Sequence, residues 1–321
     1  MKRLIISVGV LVFSLLPAHA QDVTGDQLVD GLNGIFGDHP GRAAHTRGQC
    51  VKGSFTPAEG APAISKAVFL SKPAPVLARF SFGGGNPQVA DKSKTPRGLA
   101  VRYDPDGGEP VDFVQISVPI FFARSPQQVL EFFKVRAGAG AGKADVEKIK
   151  AFTAANPETA RQDAAINTGL IPASYAQLTY YGIHAFNATN AEGKQTKIKF
   201  KTVPHAGTAG LTQQKTDIKK DNFIYADLKD PLANRPISFD LVALIGEEGD
   251  PTNDPTQDWP AGRMEVKLGV LQITQLEDNA TCDAGNFDPM NLGAGLAAFP
   301  DDSVLPMRSQ AYAASLVRRS K

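Results

Sequence analysis

What most constrains the fold of this chain is a series of alternating segments, each closed by a turn signal. The stretch "APVLARFSFGGG" alternates apolar residues and ends in three glycines. "PRGLAVRYDPDGGEPVDFVQISVPIFF" holds two strand-like runs joined by Asp-Pro-Asp-Gly-Gly, a hairpin signature. "HAFNATNAEGKQTKIKFKTV" repeats the design, and "PISFDLVALIGEE" and "RMEVKLGVLQITQL" add two further strands. Antiparallel strands at such regular spacing close into a barrel or stack as a sandwich.

Helical spacing fills the intervals. "SPQQVLEFFKVRAGA" opens with Ser125 as cap and Pro126 in the first turn, and "KADVEKIKAFTAAN" follows it. "FPDDSVLPMRSQAYAASLVRRSK" carries Asp301, Asp302 and Ser303 at its start and Arg318, Arg319 and Lys321 at its finish. Those signs suit a helix dipole. No repeat or linker divides residues 21–321, so the expectation is one α+β domain around an antiparallel β-barrel.

The first twenty residues stand apart. "MKRLIISVGVLVFSLLPAHA" has a basic start, an apolar run too short to span a bilayer, and an Ala-His-Ala ending. It reads as a secretory signal peptide cleaved after Ala20, leaving an exported, periplasmic protein without a membrane span. Its two cysteines, Cys50 and Cys282, are too few for a disulfide scaffold. They are either free or paired as one staple, depending on whether the fold brings their Cα atoms within about 7 Å. With 34 Lys+Arg against 33 Asp+Glu, the composition argues against a nucleic-acid partner or an anionic membrane surface. Beyond residue 20 only His39, His45, His184 and His205 remain, without the spacing of a multi-histidine metal site.

Arg308 and Tyr312 share one helical face at i, i+4. Such a pair is commonly a tyrosine with a stacking neighbour. It also has a chemical use: a free phenol titrates near 10, and a permanently charged guanidinium one turn away stabilises the anion that would ligate ferric iron.

In this respect the chain resembles the haem catalase family, specifically its small catalase-related peroxidase branch. "FDPMNLGAGLAAFPDDSVLPMRSQAY" is similar to the family's proximal segment. The resemblance implies Tyr312 as the iron ligand, Arg308 as its charge partner and Arg319 as a haem-propionate ligand. "GRAAHTRGQCVKGSF" resembles the distal stretch, with His45 as the distal histidine and Arg42 on a propionate. "VLARFSFGGG" resembles the Arg-Phe-Ser strand, with Arg79 on a propionate and Ser81 orienting His45. "TPRGLAVRY", "VPIFF", "YYGIHAFNATNAEGK" and "DWPAGRMEVKLGVLQI" follow in the family's order, with His184 in a structural strand.

The resemblance carries departures. The C-terminal helical domain and the long interlocking arms of large catalases are missing, which implies a monomer or homodimer. Ile116 occupies the position of a distal Asn, and isoleucine offers no donor. Gln115 or Ser117 would substitute for it only if a bulge re-aimed the strand. Val129 stands near the place of an aromatic that stacks on the haem, so the pocket should differ in shape. The function implied is a haem b (iron) peroxidase reducing H2O2 or organic hydroperoxides with a small organic electron donor, with weak catalase activity. His45 and Ser81 would serve catalysis. Two alternatives keep the same barrel: a non-catalytic periplasmic haem-binding protein and an enzyme rearranging lipid hydroperoxides. A third, outside the family, is a barrel binding an apolar ligand.

Overall fold

The computed structural model describes residues 22–104 and 106–321. The signal peptide expected over 1–20 lies outside them. Four strands open the barrel, β1 (Gly48–Pro57), β2 (Ala74–Phe82), β3 (Arg97–Tyr103) and β4 (Val111–Ile116), after a first helix α1 (Gly25–Phe36). Three helices follow, α2 (Pro126–Val135), α3 (Val146–Ala155) and α4 (Ala160–Thr168). Next come β5 (Ile171–Pro172), β6 (Tyr180–Tyr181), β7 (Phe186–Thr189), β8 (Gln195–Pro204) and β9 (Gly210–Leu211). The chain continues through α5 (Gln213–Asp217), α6 (Phe223–Leu232), β10 (Ile237–Ile245) and β11 (Glu265–Leu276). It finishes with α7 (Asn279–Asp283), β12 (Leu296–Ala298) and α8 (Val304–Arg319).

The pairing order β10-β11-β1-β2-β3-β4-β6-β8 returns to β10, because β8 also pairs with it. Eight antiparallel strands therefore close a barrel, which leaves no free edge among them. β7 and β12 extend the sheet from β8 outside that ring. The choice between barrel and sandwich is thus settled by the β8–β10 ladder, which runs from Phe239↔Pro204 to Ile245↔Ile198.

Alternation decides what fills the barrel. Phe80, Phe82, Leu99, Val101, Tyr103 and Phe113 all belong to one buried cluster. Phe69 stacks on Tyr103, and Phe113 stacks on Phe200, with centroids 4.4 and 4.1 Å apart. Each such ring contributes about 1.5–3 kcal/mol by leaving water. The intervening residues, Arg79, Ser81, Gly98, Ala100, Val114 and Ile116, turn to the outer wall.

The first and last helices cover that wall together with α2. Leu28, Ile35, Val129, Phe133, Val304 and Met307 form a second cluster there. Thr24 caps α1 in a reciprocal box with Gln27, and Ser125 caps α2 as its Ser-Pro start predicts. At α8 the cap is Asp302, whose Oδ1 accepts from the Val304 and Leu305 amides at 3.0 and 3.1 Å.

β1 is the longest of the strands the alternation did not announce. It is rich in polar residues and interrupted by Gly53, where a register shift against β11 falls between Lys52 and Gly53. A Cβ at Gly53 would lie 1.8 Å from the Gln272 carbonyl oxygen, so the close strand approach requires glycine.

Candidate functional site

A cavity of about 510 Å³ lies between the outer wall of the barrel and the helical layer. His45 lines one side, Tyr312 and Arg308 the other, and Phe121, Phe122, Phe132 and Phe133 much of the wall. A narrower chamber of about 100 Å³ continues from it between Arg42, Arg79 and Arg319, again with His45 and Tyr312 in its walls. All seven residues expected at the site therefore meet around one space, Ser81 included.

Strand register explains the histidine side. Ser81 pairs with Gly98, and Gly98 with Ile116, so the three form a row across β2, β3 and β4. The His45 ring lies over this row. Its Nδ1 is 2.9 Å from Ser81 Oγ, and a Cβ on Gly98 would lie 2.8 Å from that same Nδ1. Only glycine leaves room for the ring.

His45 has a left-handed backbone, φ 55°, a conformation costing a non-glycine residue about 1–3 kcal/mol. It is gripped from both ends: its N–H donates to the Gly84 carbonyl at 2.7 Å, and its own carbonyl accepts from Arg79 Nη1 at 2.7 Å. Burial, then the charges of Arg79, Arg308 and Arg42, hold its imidazole down at about 3. The ring is accordingly neutral across the physiological range. Accepting from Ser81 Oγ or donating to it, Nδ1 is occupied, and Nε2 is left to face the cavity. Ser81→Ala is expected to slow peroxide turnover about tenfold, the worth of one orienting hydrogen bond. Steady-state kinetics on the loaded variant would check it, and an unchanged rate would remove Ser81 from the site.

On the opposite side Arg308 Nη2 donates to the Tyr312 hydroxyl at 2.8 Å, as their i, i+4 spacing allows. Arg308 is buried, and its Nη1 has no partner. Behind it stand two residues whose placement the sequence did not reveal. His184 Nδ1 is 2.6 Å from Asp302 Oδ2, both side chains buried, and His184 lines a small pocket with Arg308. Burial pushes the His184 imidazole below its ordinary value despite Asp302. Burial alone would raise the Asp302 carboxyl, but hydrogen bonds from His184 and the α8 amides hold it below the usual range. Asp302 thus ties the start of the tyrosine's helix to His184. The one sign of it in the sequence was an acidic residue before the last helix, read there as a dipole charge. His184 lies in a bend before β7 rather than in the strand expected, and it does not line the main cavity.

The arginine end is electropositive. Arg42, Arg79 and Arg319 line it, and Asp283, outside the lining, lies 3.0 Å from Arg42 Nε. Burial, followed by repulsion from Arg42, lowers both Arg79 and Arg319 to about 10. Arg79 Nε and Arg319 Nε are buried without partners.

Ile116 ends β4 and lines the cavity beside His45. Neither neighbour replaces the missing donor. No register shift interrupts the β3–β4 ladder. Gln115 points into the barrel, where its Oε1 accepts from Thr202 at 2.7 Å, and Ser117 Oγ accepts from the Arg97 amide at 2.9 Å. Val129 is buried in the wall. The aromatic surface absent there is supplied by the four phenylalanines around it, of which Phe122 and Phe132 lie 4.4 Å apart.

A protein-family description, Catalase, matches residues 38–320. A catalase-related peroxidase of Synechococcus elongatus is 32% identical over 326 residues, covering 100% of this chain and 95% of that protein. One from Mycolicibacterium paratuberculosis is 29% identical, covering 93% of this chain and 95% of its own. Catalase A from Saccharomyces cerevisiae superposes with a TM-score of 0.78 over 88% of this chain and 62% of that one, at 22% identity, a likeness of fold. The catalase family is generally haem-dependent. By a family match over most of its described length and by relatives that cover 93% or more of it, this chain belongs to the catalase family and is an oxidoreductase acting on peroxide.

Proposed function

We propose that the protein is a haem b peroxidase that reduces H2O2 and organic hydroperoxides with a small organic electron donor. The observation that carries this reading is the opposition of two polar faces across one apolar cavity: His45 held by Ser81, and Tyr312 held by Arg308. The residues present fit haem. A flat apolar body suits the phenylalanine wall, and its two carboxylates suit three guanidinium groups that face a single Asp283, with orphaned N–H groups on Arg79 and Arg319. Tyr312 would ligate the iron as phenolate, with Arg308 donating to its oxygen.

Bound haem supplies the two electrons that cleave the O–O bond, to be replaced by the donor. The chain's part is to place protons. Neutral His45 takes the proton from the near peroxide oxygen and delivers it to the departing one, which leaves as water or an alcohol. Ser81 holds the ring so that one nitrogen performs both steps. Ile116, in line with Ser81 and Gly98, offers no hydrogen bond to a second H2O2. The apolar wall accepts the carbon body of an organic hydroperoxide. Both observations favour peroxidase over dismutation.

The haem-loaded protein, supplied with H2O2 or cumene hydroperoxide and a phenolic donor, should oxidise the donor faster than it releases O2. O2 release outpacing donor oxidation would make it a true catalase, and inertness to both peroxides would make it a haem carrier. Ile116→Asn is expected to raise O2 release from H2O2 about tenfold, one hydrogen bond's worth. An oxygen electrode reads this directly, and no rise would clear Ile116 of the effect.

Export to the periplasm belongs to the same proposal. It is supported by the signal-like first twenty residues and by a buried disulfide, a bond that persists in oxidising compartments. A monomer or homodimer is proposed alongside it.

A further inference from the structure

Cys50 and Cys282 are joined in a disulfide between residues 232 apart in sequence, and both are buried. The bond joins β1 to α7, a five-residue helix whose other side chains are exposed. So short a helix has little stability of its own. Beside the disulfide, the Cys50 amide donates to Asn279 Oδ1 at 2.7 Å, and the Glu277 amide just before α7 donates to the Cys50 carbonyl at 2.9 Å.

The segment held this way is the one that grips the arginines. Arg42 donates to Asp283 Oδ1 at 3.0 Å, to the Cys282 carbonyl and to the Gly285 carbonyl at 3.0 Å. Arg319 donates to the same Gly285 carbonyl. The strand end of the bond matters as well, because Cys50 pairs directly with Arg79 across the β1–β2 ladder. One covalent bond thus spans from the strand beside Arg79 to the loop that orients Arg42 and Arg319.

We propose that the Cys50–Cys282 disulfide is a positioning element for a dicarboxylate cofactor: it fixes α7 so that Arg42, Arg79 and Arg319 converge on the two carboxylates. This rests on the haem reading of the cavity. A bond that served stability alone would change unfolding without changing how tightly the carboxylates are held.

The test is haem transfer from the loaded protein to excess apomyoglobin, with unfolding of the haem-free protein followed by circular dichroism. The Cys50→Ala/Cys282→Ala variant is expected to release haem about tenfold faster than wild type, a displaced charge-assisted hydrogen bond's worth. In an Arg42→Gln/Arg319→Gln background, the same cysteine change should add little, since the arginines it positions are gone. Equal acceleration in both backgrounds, or unchanged release beside a lowered unfolding temperature, would overturn the proposal. If the double alanine variant does not fold, folded wild type reduced with dithiothreitol before loading serves instead. It should release haem about tenfold faster than the oxidised protein, and unchanged release with both thiols titrated as free would overturn the proposal. Wild type that takes up no haem would instead overturn the cofactor reading beneath it.

Discussion

Tyr312→Phe, mixed with haem under conditions that saturate the wild type, is expected to lose more than about a hundredfold in affinity. That is the upper end of what losing a ligand's hydrogen-bond partner costs, and here the ligand itself is removed. The phenol's geometry leaves no substitute. Arg308 Nη2 lies 2.8 Å from the Tyr312 hydroxyl, and arginine is a cation that does not ligate iron. Haem that still binds would be held by Arg42, Arg79 and Arg319 and by the phenylalanine wall, with its ferric absorption changed from the phenolate type. Titration with a visible spectrum at each step reads both effects. Wild-type affinity together with a wild-type spectrum would refute the ligand assignment while leaving the family membership intact.

His45→Ala is expected to keep haem yet slow peroxide reduction by about 10²–10⁴, the contribution of a positioned acid–base group. Stopped-flow mixing with H2O2 separates this step from donor oxidation, and a rate within a few-fold of wild type would remove His45 from the chemistry. The pH dependence has a definite sign. Because burial and then the arginines hold His45 down at about 3, its base form persists well below the ordinary histidine range. Turnover should therefore show no inflection near the free value of about 6.5. The same depression makes the unfolded chain bind a proton that the folded chain refuses between about pH 3 and 6.5. The stability involved is fully present above about 6.5 and is lost as pH falls toward about 3. Removing the imidazole should flatten that slope, so unfolding midpoints of His45→Ala and wild type should converge as pH is lowered.

Sequence legibility followed period and motif. The β3–β4 hairpin, β8, β10 and β11 were visible because apolar alternation continues for whole strands between turn residues. β1 was hidden by its polar residues and Gly53, whose reason is the Gln272 carbonyl on a strand distant in sequence. Barrel closure was equally hidden, since it depends on β8 finding β10. At the site, Arg308 and Tyr312 were legible as a pair because helical spacing forces them together. His45 and Ser81 were legible as types within a family pattern, but not the left-handed turn or the Gly98 gap that seats the ring. Asp302 with His184 was illegible, because the pair is made by tertiary approach between the bend before β7 and a helix cap. The disulfide stood open for the same reason, and the fold brings its Cα atoms to 5.8 Å.

The cavity borrows its walls from the two extremes of the described chain. His45 and Arg42 precede the first barrel strand, whereas Arg308, Tyr312 and Arg319 lie on the last helix, which packs on the first. During synthesis the N-terminal part emerges and begins to fold first. For most of that time the histidine wall faces nothing, and the tyrosine wall has yet to be made. A planar ligand reaching the nascent chain would meet only half a site. Loading must therefore wait for the finished polypeptide, and the proposed export would then place cofactor insertion after translocation.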